Sequence, residues 1–293
     1  MSPFGPAARP TPRLAFSTLA CPEWTPSEVV DAAARFGYDA IEWRGGDDGH
    51  VRTSWSPRQR QLLRDEMAHR GIEALCVTAY TSFVSPDPGA RARDREHLER
   101  HLELARDLGA PFVRAFIGIR KDAVPMSDLR RRAADELAVV AETARDVAVR
   151  IGLEQHDDFD RASEVGELLK LLPDRSIGAI WDVANGWAAG ETPEAGFAGL
   201  ADRLFYAQLK DLRGTRERWQ ATRFGEGTVP LEDAIAILGR HGDVPLCVEW
   251  IRAWDPALDP PATALPAMRE FVLAAIGEVP GPPTGPSRDG AAG

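Results

Sequence analysis

Eight short apolar runs alternate with longer amphipathic ones between residues 14 and 276, and no low-complexity linker interrupts them. The strand-like runs fall at 14–19, 38–43, 72–78, 112–117, 151–155, 177–182, 204–209 and 246–251. Helix-like runs follow at about 26–36, 57–70, 90–108, 127–149, 161–172, 193–200, 231–240 and 263–276, several opened by Pro and closed by Gly or Pro. Residues 79–89 and 210–230 are the longer connections. Such alternation requires parallel strands, because each helix returns the chain to the starting edge of the sheet. Eight units in roughly 250 residues is the size of a closed (β/α)8 TIM barrel. An open doubly wound sheet would carry Gly-x-Gly-x-x-Gly after its first strand, and this chain does not. The expectation is therefore one α/β barrel domain over residues 13–276, with Pro/Gly-rich loose tails at 1–12 and 277–293.

In a parallel barrel, function sits at the carboxyl ends of the strands. Four runs end there on an oxygen-bearing side chain: Ile151-Gly-Leu-Glu154, Ile177-Gly-Ala-Ile-Trp-Asp182, Leu204-Phe-Tyr-Ala-Gln208 and Val244-Pro-Leu-Cys-Val-Glu249. Side by side, Glu154, Asp182, Gln208 and Glu249 would point into one space. Strand alternation puts His156 on the side of Glu154, and Lys210 on that of Gln208. Lys210 could equally pair with Asp211 or with an acid of the sixth strand, and Arg114 with Glu42 or Glu154. Glu42, Asn185, Glu226 and Arg252 occupy other strand ends or nearby loops, and an arginine there suits a carboxylate or phosphate. His50 lies in the loop Gly-Gly-Asp-Asp-Gly-His after the second strand.

The formal charge of −10 argues against a nucleic-acid backbone binder, which shows a basic stripe. No apolar run of about 18 residues offers a membrane span, and residues 1–12 do not read as a signal peptide. Three cysteines, Cys21, Cys76 and Cys247, of which the latter two lie in apolar runs, read as buried reduced thiols of a cytoplasmic protein.

Six motifs at successive strand ends carry a resemblance: Asp39-Ala-Ile-Glu42-Trp-Arg, Leu153-Glu154-Gln-His156, Trp181-Asp182-Val-Ala-Asn185, Gln208-Leu-Lys210-Asp211, Gly225-Glu-Gly227-Thr-Val-Pro230 and Val248-Glu249-Trp250. In this order they resemble the xylose isomerase-like TIM barrels, the sugar phosphate isomerases and epimerases. The resemblance implies a divalent metal held by Glu154, Asp182, Gln208 and Glu249, and proton exchange between Glu154 and Glu249. It departs from the family at Gln208, where many members have His, and at Asn185, where many have a substrate-binding His. Oxygen donors throughout favour Mn²⁺ or Mg²⁺ over Zn²⁺, and three converging carboxylates would repel one another without a cation. His156, Asn185, Lys210, His50, Arg114 and Glu42 are the expected substrate contacts.

The expected activity is isomerisation or epimerisation of a small sugar-like carbonyl compound through a metal-stabilised enediolate. The alternatives are a lyase dehydrating a 3-dehydroshikimate- or inosose-like substrate on the same site, and a non-catalytic carbohydrate-binding barrel. Endonuclease IV-type repair enzymes share the barrel, but they use several histidines on a three-zinc centre, and this chain has six histidines with none at the ends of strands six, seven or eight in the needed pattern. By analogy with the family, a homo-oligomer is expected.

Overall fold

A computed structural model of the protein describes residues 12–215 and 218–277. Within them, the parallel strands β1 (Leu14–Ser17), β2 (Ala40–Arg44), β3 (Glu73–Ala79), β4 (Phe112–Ala115), β5 (Arg150–Glu154), β6 (Ile177–Asp182), β7 (Leu204–Leu209) and β10 (Leu246–Val248) close into a barrel. Its outer layer comprises α1 (Pro26–Phe36), α2 (Pro57–His69), α3 (Pro88–Leu108), α4 (Met126–Asp146), α5 (Ala162–Lys170), α6 (Val183–Ala188), α7 (Pro193–Leu200), α8 (Leu231–Arg240) and α9 (Pro261–Gly277). The helix starts are written locally. Thr25 and Glu28 form a reciprocal capping box on α1, Ser56 and Gln59 another on α2, each with Pro at the first helical position.

The apolar pattern divides into two cores. The larger lies between strands and helices, while Ala15, Ala40, Leu75, Cys76, Phe112, Ile180, Phe205, Tyr206 and Cys247 form the smaller one. Gly152 and Gly178 are register partners in β5 and β6. A Cβ on Gly152 would stand 2.6 Å from Ile180, and one on Gly178 would stand 2.4 Å from Phe205, so the two glycines make room for these larger side chains. Register slips between β2 and β3 at Ile41/Glu42 and between β6 and β7 at Ala179/Ile180, which puts Asp182 directly beside Gln208.

Three expectations need correction. Residues 210–230 are not an unstructured connection, because β8 (Asp211–Thr215) and β9 (Arg218–Thr222) form an antiparallel hairpin within them. The fourth and eighth strands stop at Ala115 and Val248, short of the expected 117 and 251. A short helix, α6, begins directly after β6, because Asp182 caps it. The expected tails at 1–12 and 277–293 lie outside the described residues, apart from Pro12 and Gly277, the latter closing α9.

Candidate active site

Alternate residues of a strand share a face, so each strand that carries one site residue offers a second, two positions nearer the barrel mouth. The resulting pairs are Glu42 and Arg44, Arg114 and Phe116, Glu154 and His156, and Gln208 and Lys210. Glu42, Arg114, Glu154, Asp182, Gln208, Lys210 and Glu249 are all buried. Such a density of buried charge is tolerable only where the groups satisfy one another.

Glu42 accepts hydrogen bonds from the Tyr206 hydroxyl and from Gln208 Nε2, the latter at 3.2 and 3.3 Å to its two oxygens. Burial raises the Glu42 carboxyl above the usual range, opposed by Arg114. With Nε2 donating to Glu42, Gln208 Oε1 is left buried and without a donor. Arg114 NH1 stands 2.9 Å from Glu154 Oε2, close enough for an ion pair but not aligned as a hydrogen bond, so this oxygen too lacks a donor. Burial pushes the Glu154 carboxyl up to about 7, against the pull of Arg114 and with help from Glu249 and Asp182.

Lys210, just past β7, sits between the other two carboxylates. Its Nζ donates to Asp182 Oδ2 at 2.8 Å and to Glu249 Oε2 at 2.6 Å. Those partners overcome burial and hold the ammonium protonated. For Glu249, burial is outweighed by Lys210, and its carboxyl is held below the usual range. Burial dominates at Asp182 and raises it, while its Oδ1 accepts the Asn185 backbone N–H at 2.8 Å as the cap of α6. His156 Nδ1 lies 2.8 Å from Asp157 and the ring stacks on Phe116 at 4.1 Å. Burial opposes the imidazolium, but Asp157 and Glu154 prevail and raise its pKa.

Of the two partners expected for Lys210, the structure selects the acid of β6 and adds Glu249. Asp211 instead accepts backbone N–H groups of Leu212, Gly225, Gly227 and Val229 at 2.9, 2.9, 3.0 and 3.2 Å, anchoring the hairpin connection. A Cβ on Gly227 would stand 2.0 Å from Asp211, so this position must be glycine. Asn185 Nδ2 donates to the Gln155 carbonyl at 2.7 Å, tying α6 to β5. His50 Nε2 contacts the Cys21 carbonyl at 3.0 Å. Glu226 pairs with Arg213 on the exposed hairpin, and Arg252 with Glu23. The side chains of Asn185, His50, Glu226 and Arg252 thus meet neighbouring segments rather than the carboxylates of the cluster.

Sequence reading missed Arg44, Tyr80 and Phe116. Arg44 lies over Trp254 and Tyr80, and Arg114 over Tyr80 and Phe116, forming a continuous cation and aromatic wall. The period-two alternation that located His156 and Lys210 would have found Arg44 and Phe116.

Among the described residues, no group of three or more His, Cys, Asp and Glu side chains is placed to share one cation. The carboxylates turn instead to Arg114 and Lys210. Even so, the four carboxyls Glu42, Glu154, Asp182 and Glu249 exceed these two cations by two charges when all are ionised. Two buried acceptors, Gln208 Oε1 and Glu154 Oε2, also lack donors. In charge and donor type the residues fit a divalent cation with oxygen ligands, one that would share Asp182 and Glu249 with Lys210.

Residues 30–273 match the family model described as xylose isomerase-like TIM barrel. The chain is 27% identical over 191 residues to a 3-dehydroshikimate dehydratase of Pseudomonas aeruginosa, which is 63% of this chain and 28% of that protein. It thus spans little more than a quarter of that relative's length. It is 28% identical over 218 residues to SgbU of Escherichia coli K12, named provisionally as an L-ribulose-5-phosphate 3-epimerase, covering 69% of this chain and 75% of that one. It superposes on a crystal structure of the IolI protein with a bound zinc atom with a TM-score of 0.78 at 15% identity, over 92% of this chain and 100% of that one. At such identity the likeness is one of fold.

Proposed function

The chain belongs to the xylose isomerase-like TIM barrel family, and on that premise we propose that it is a cytoplasmic enzyme moving a proton next to a carbonyl of a small polyhydroxy compound, as an isomerase or epimerase. The observation carrying this reading is the divergence of two glutamates in one buried cluster. Glu154 is pushed up to about 7, whereas Glu249 is held ionised. Two carboxyls whose environments drive their pKa values apart are matched to the roles of acid and base.

Glu249, kept as carboxylate by Lys210, removes the proton from the carbon beside the carbonyl. Lys210 remains protonated and offsets the negative charge that develops on the substrate oxygen. Glu154 in its acid form delivers a proton to the opposite face, giving the epimer, or to the adjacent carbon while the hydroxyl proton passes from one enediolate oxygen to the other, giving the isomer. The reverse reaction exchanges the roles. A divalent cation would be held by Asp182, Gln208 and Glu249, and by Glu154 when that carboxyl is ionised; it would supply Lewis-acid polarisation of the carbonyl, with Mn²⁺ or Mg²⁺ suited to these oxygen donors.

A second reading, dehydration of a 3-dehydroshikimate-like compound, is favoured by His156. Its raised pKa makes it a proton donor for a departing hydroxyl, two residues beyond Glu154, and one relative is named for this reaction. The free, buried Cys21, Cys76 and Cys247 accord with a reducing compartment, and among the described residues no helix is long and apolar enough to cross a membrane.

Deuterium uptake from D₂O next to the carbonyl, in the presence of Mn²⁺, tests the proposal. A screen of ketoses, inososes and 3-dehydroshikimate should find a compound that exchanges, with its product either unchanged in mass apart from the label or lighter by water. Exchange unaffected by both Glu154→Gln and Glu249→Gln removes both readings.

A further inference from the structure

Three hydrogen-bond donors at the barrel mouth are buried and have no acceptor in aligned geometry: Arg44 Nε, Arg114 Nε and the Tyr80 hydroxyl, the last of which also lies close enough to the Arg44 guanidinium to favour its charge. They belong to one assembly, since the Arg44 and Arg114 guanidinium carbons stand 6.0 and 4.9 Å from the Tyr80 ring centre. A buried donor left unpaired costs on the order of 1–3 kcal/mol, and more where it is charged. Three around one ring describe a place built to receive an acceptor.

The charge is unevenly matched as well. Arg114 has the buried Glu154 beside it. Arg44 is only 7% exposed, yet the carboxylate it meets, Asp48, has a side chain 79% exposed. Water screens that carboxylate and leaves the buried guanidinium the more weakly compensated of the two. Arg44 is also held in place: NH1 donates to the Asp48 carbonyl at 2.8 Å, and its guanidinium lies 4.9 Å from the ring centre of Trp254. Trp254 itself is 57% exposed, an uncommon position for so large an apolar surface.

We infer that Arg44, Tyr80 and Trp254 form a carboxylate-binding subsite, and that the compound processed at Glu154 and Glu249 is a small carboxylic acid, with its anionic end on Arg44. A planar carboxylate offers two oxygens to the guanidinium and the phenol, and the exposed indole face covers the carbon skeleton beside it. Arg114 joins the two halves, with NH1 beside Glu154 and its unpaired Nε in the wall. A phosphate brings about two charges to a spot where Asp48 already offsets part of Arg44. This inference deepens the proposed function and rests on it for the reaction, though not for the binding.

The test is calorimetric binding to the full chain, with Mn²⁺ present, of two matched pairs: shikimate against its methyl ester, and fructose 6-phosphate against fructose. Shikimate should bind roughly tenfold or more tighter than its ester. Arg44→Met should abolish the difference, while Asp48→Asn, a change at an exposed position, should strengthen shikimate binding about threefold. Fructose 6-phosphate should show a smaller advantage over fructose than shikimate shows over its ester. The inference is overturned if the shikimate pair do not differ, undetectable binding of both included, if the preference survives Arg44→Met, or if the phosphate advantage is the larger. Shikimate has no ketone or aldehyde and serves only as a binding probe, so carboxylate preference without deuterium exchange in any compound would remove the proton-transfer reading alone.

Discussion

Lys210 Nζ stands 2.6 Å from Glu249 Oε2 inside the barrel, and this contact distinguishes Glu249 from Glu154, the other glutamate of the proposed acid–base pair. Glu154 and Glu249 are both buried and each has a basic neighbour. The aligned hydrogen bond from Lys210 overcomes burial at Glu249, whereas the unaligned ion pair with Arg114 does not at Glu154.

Replacing Lys210 by Met leaves Asp182 and Glu249 buried beside each other without their cation. Removal of one partner of a buried pair costs roughly 3–5 kcal/mol. Urea unfolding of Lys210→Met should show a loss of that order without metal and substantial recovery with Mn²⁺, and turnover should fall whether or not metal is present.

On the proposed acid role of Glu154, activity should decline as pH rises through its titration. A cation bound to the carboxyl would move that limb to lower pH, whereas its protein surroundings alone push the carboxyl up to about 7. Arg114 opposes that rise, so Arg114→Met should move the alkaline limb of the pH–rate profile upward, by about one unit or more. A limb that stays in place would assign it to another group.

Glu42 orients the Gln208 amide, because both its oxygens accept from Nε2. In Glu42→Gln the new side chain carries donors as well as an acceptor, and the Gln208 amide can turn over. Calorimetric Mn²⁺ affinity should fall on the order of tenfold, with the circular dichroism spectrum unchanged.

His101 gives a stability signature. It is packed beneath Gly45, where a Cβ would meet its ring at 2.9 Å, and burial lowers its pKa to about 4. Because the neutral ring is favoured on folding, its contribution is complete above about pH 6.5, is lost as pH falls towards 4, and levels off below. The loss should amount to about 3 kcal/mol in urea titrations, and His101→Gln should flatten that part of the curve.

Asp211→Ala should free the connection that carries Gly225, Gly227 and Val229, since four backbone N–H groups lose their acceptor. Proteolytic cleavage within 210–230 should accelerate while the barrel core keeps its hydrogen-exchange protection.

The alternating runs determined the barrel by themselves: apolar periodicity, capping residues and glycine stops are local properties, and β6, β7, α7 and α8 lie where the pattern places them. So is the inward row of Glu154, Asp182, Gln208 and Glu249, because side-chain direction in a strand alternates whatever the neighbours are. Which cation meets which carboxylate is not local. Lys210 faces Asp211 and Asp182 as equal candidates, with Glu249 not among them, until β6 and β10 are brought beside β7, and β8 and β9 turn Asp211 away to a ring of backbone donors. The wall of Arg44, Tyr80 and Trp254 joins residues far apart in the chain, so its unpaired donors exist only once the barrel has closed. Periodicity fixes a side chain's direction, but its charge state and its partner depend on what closure places opposite.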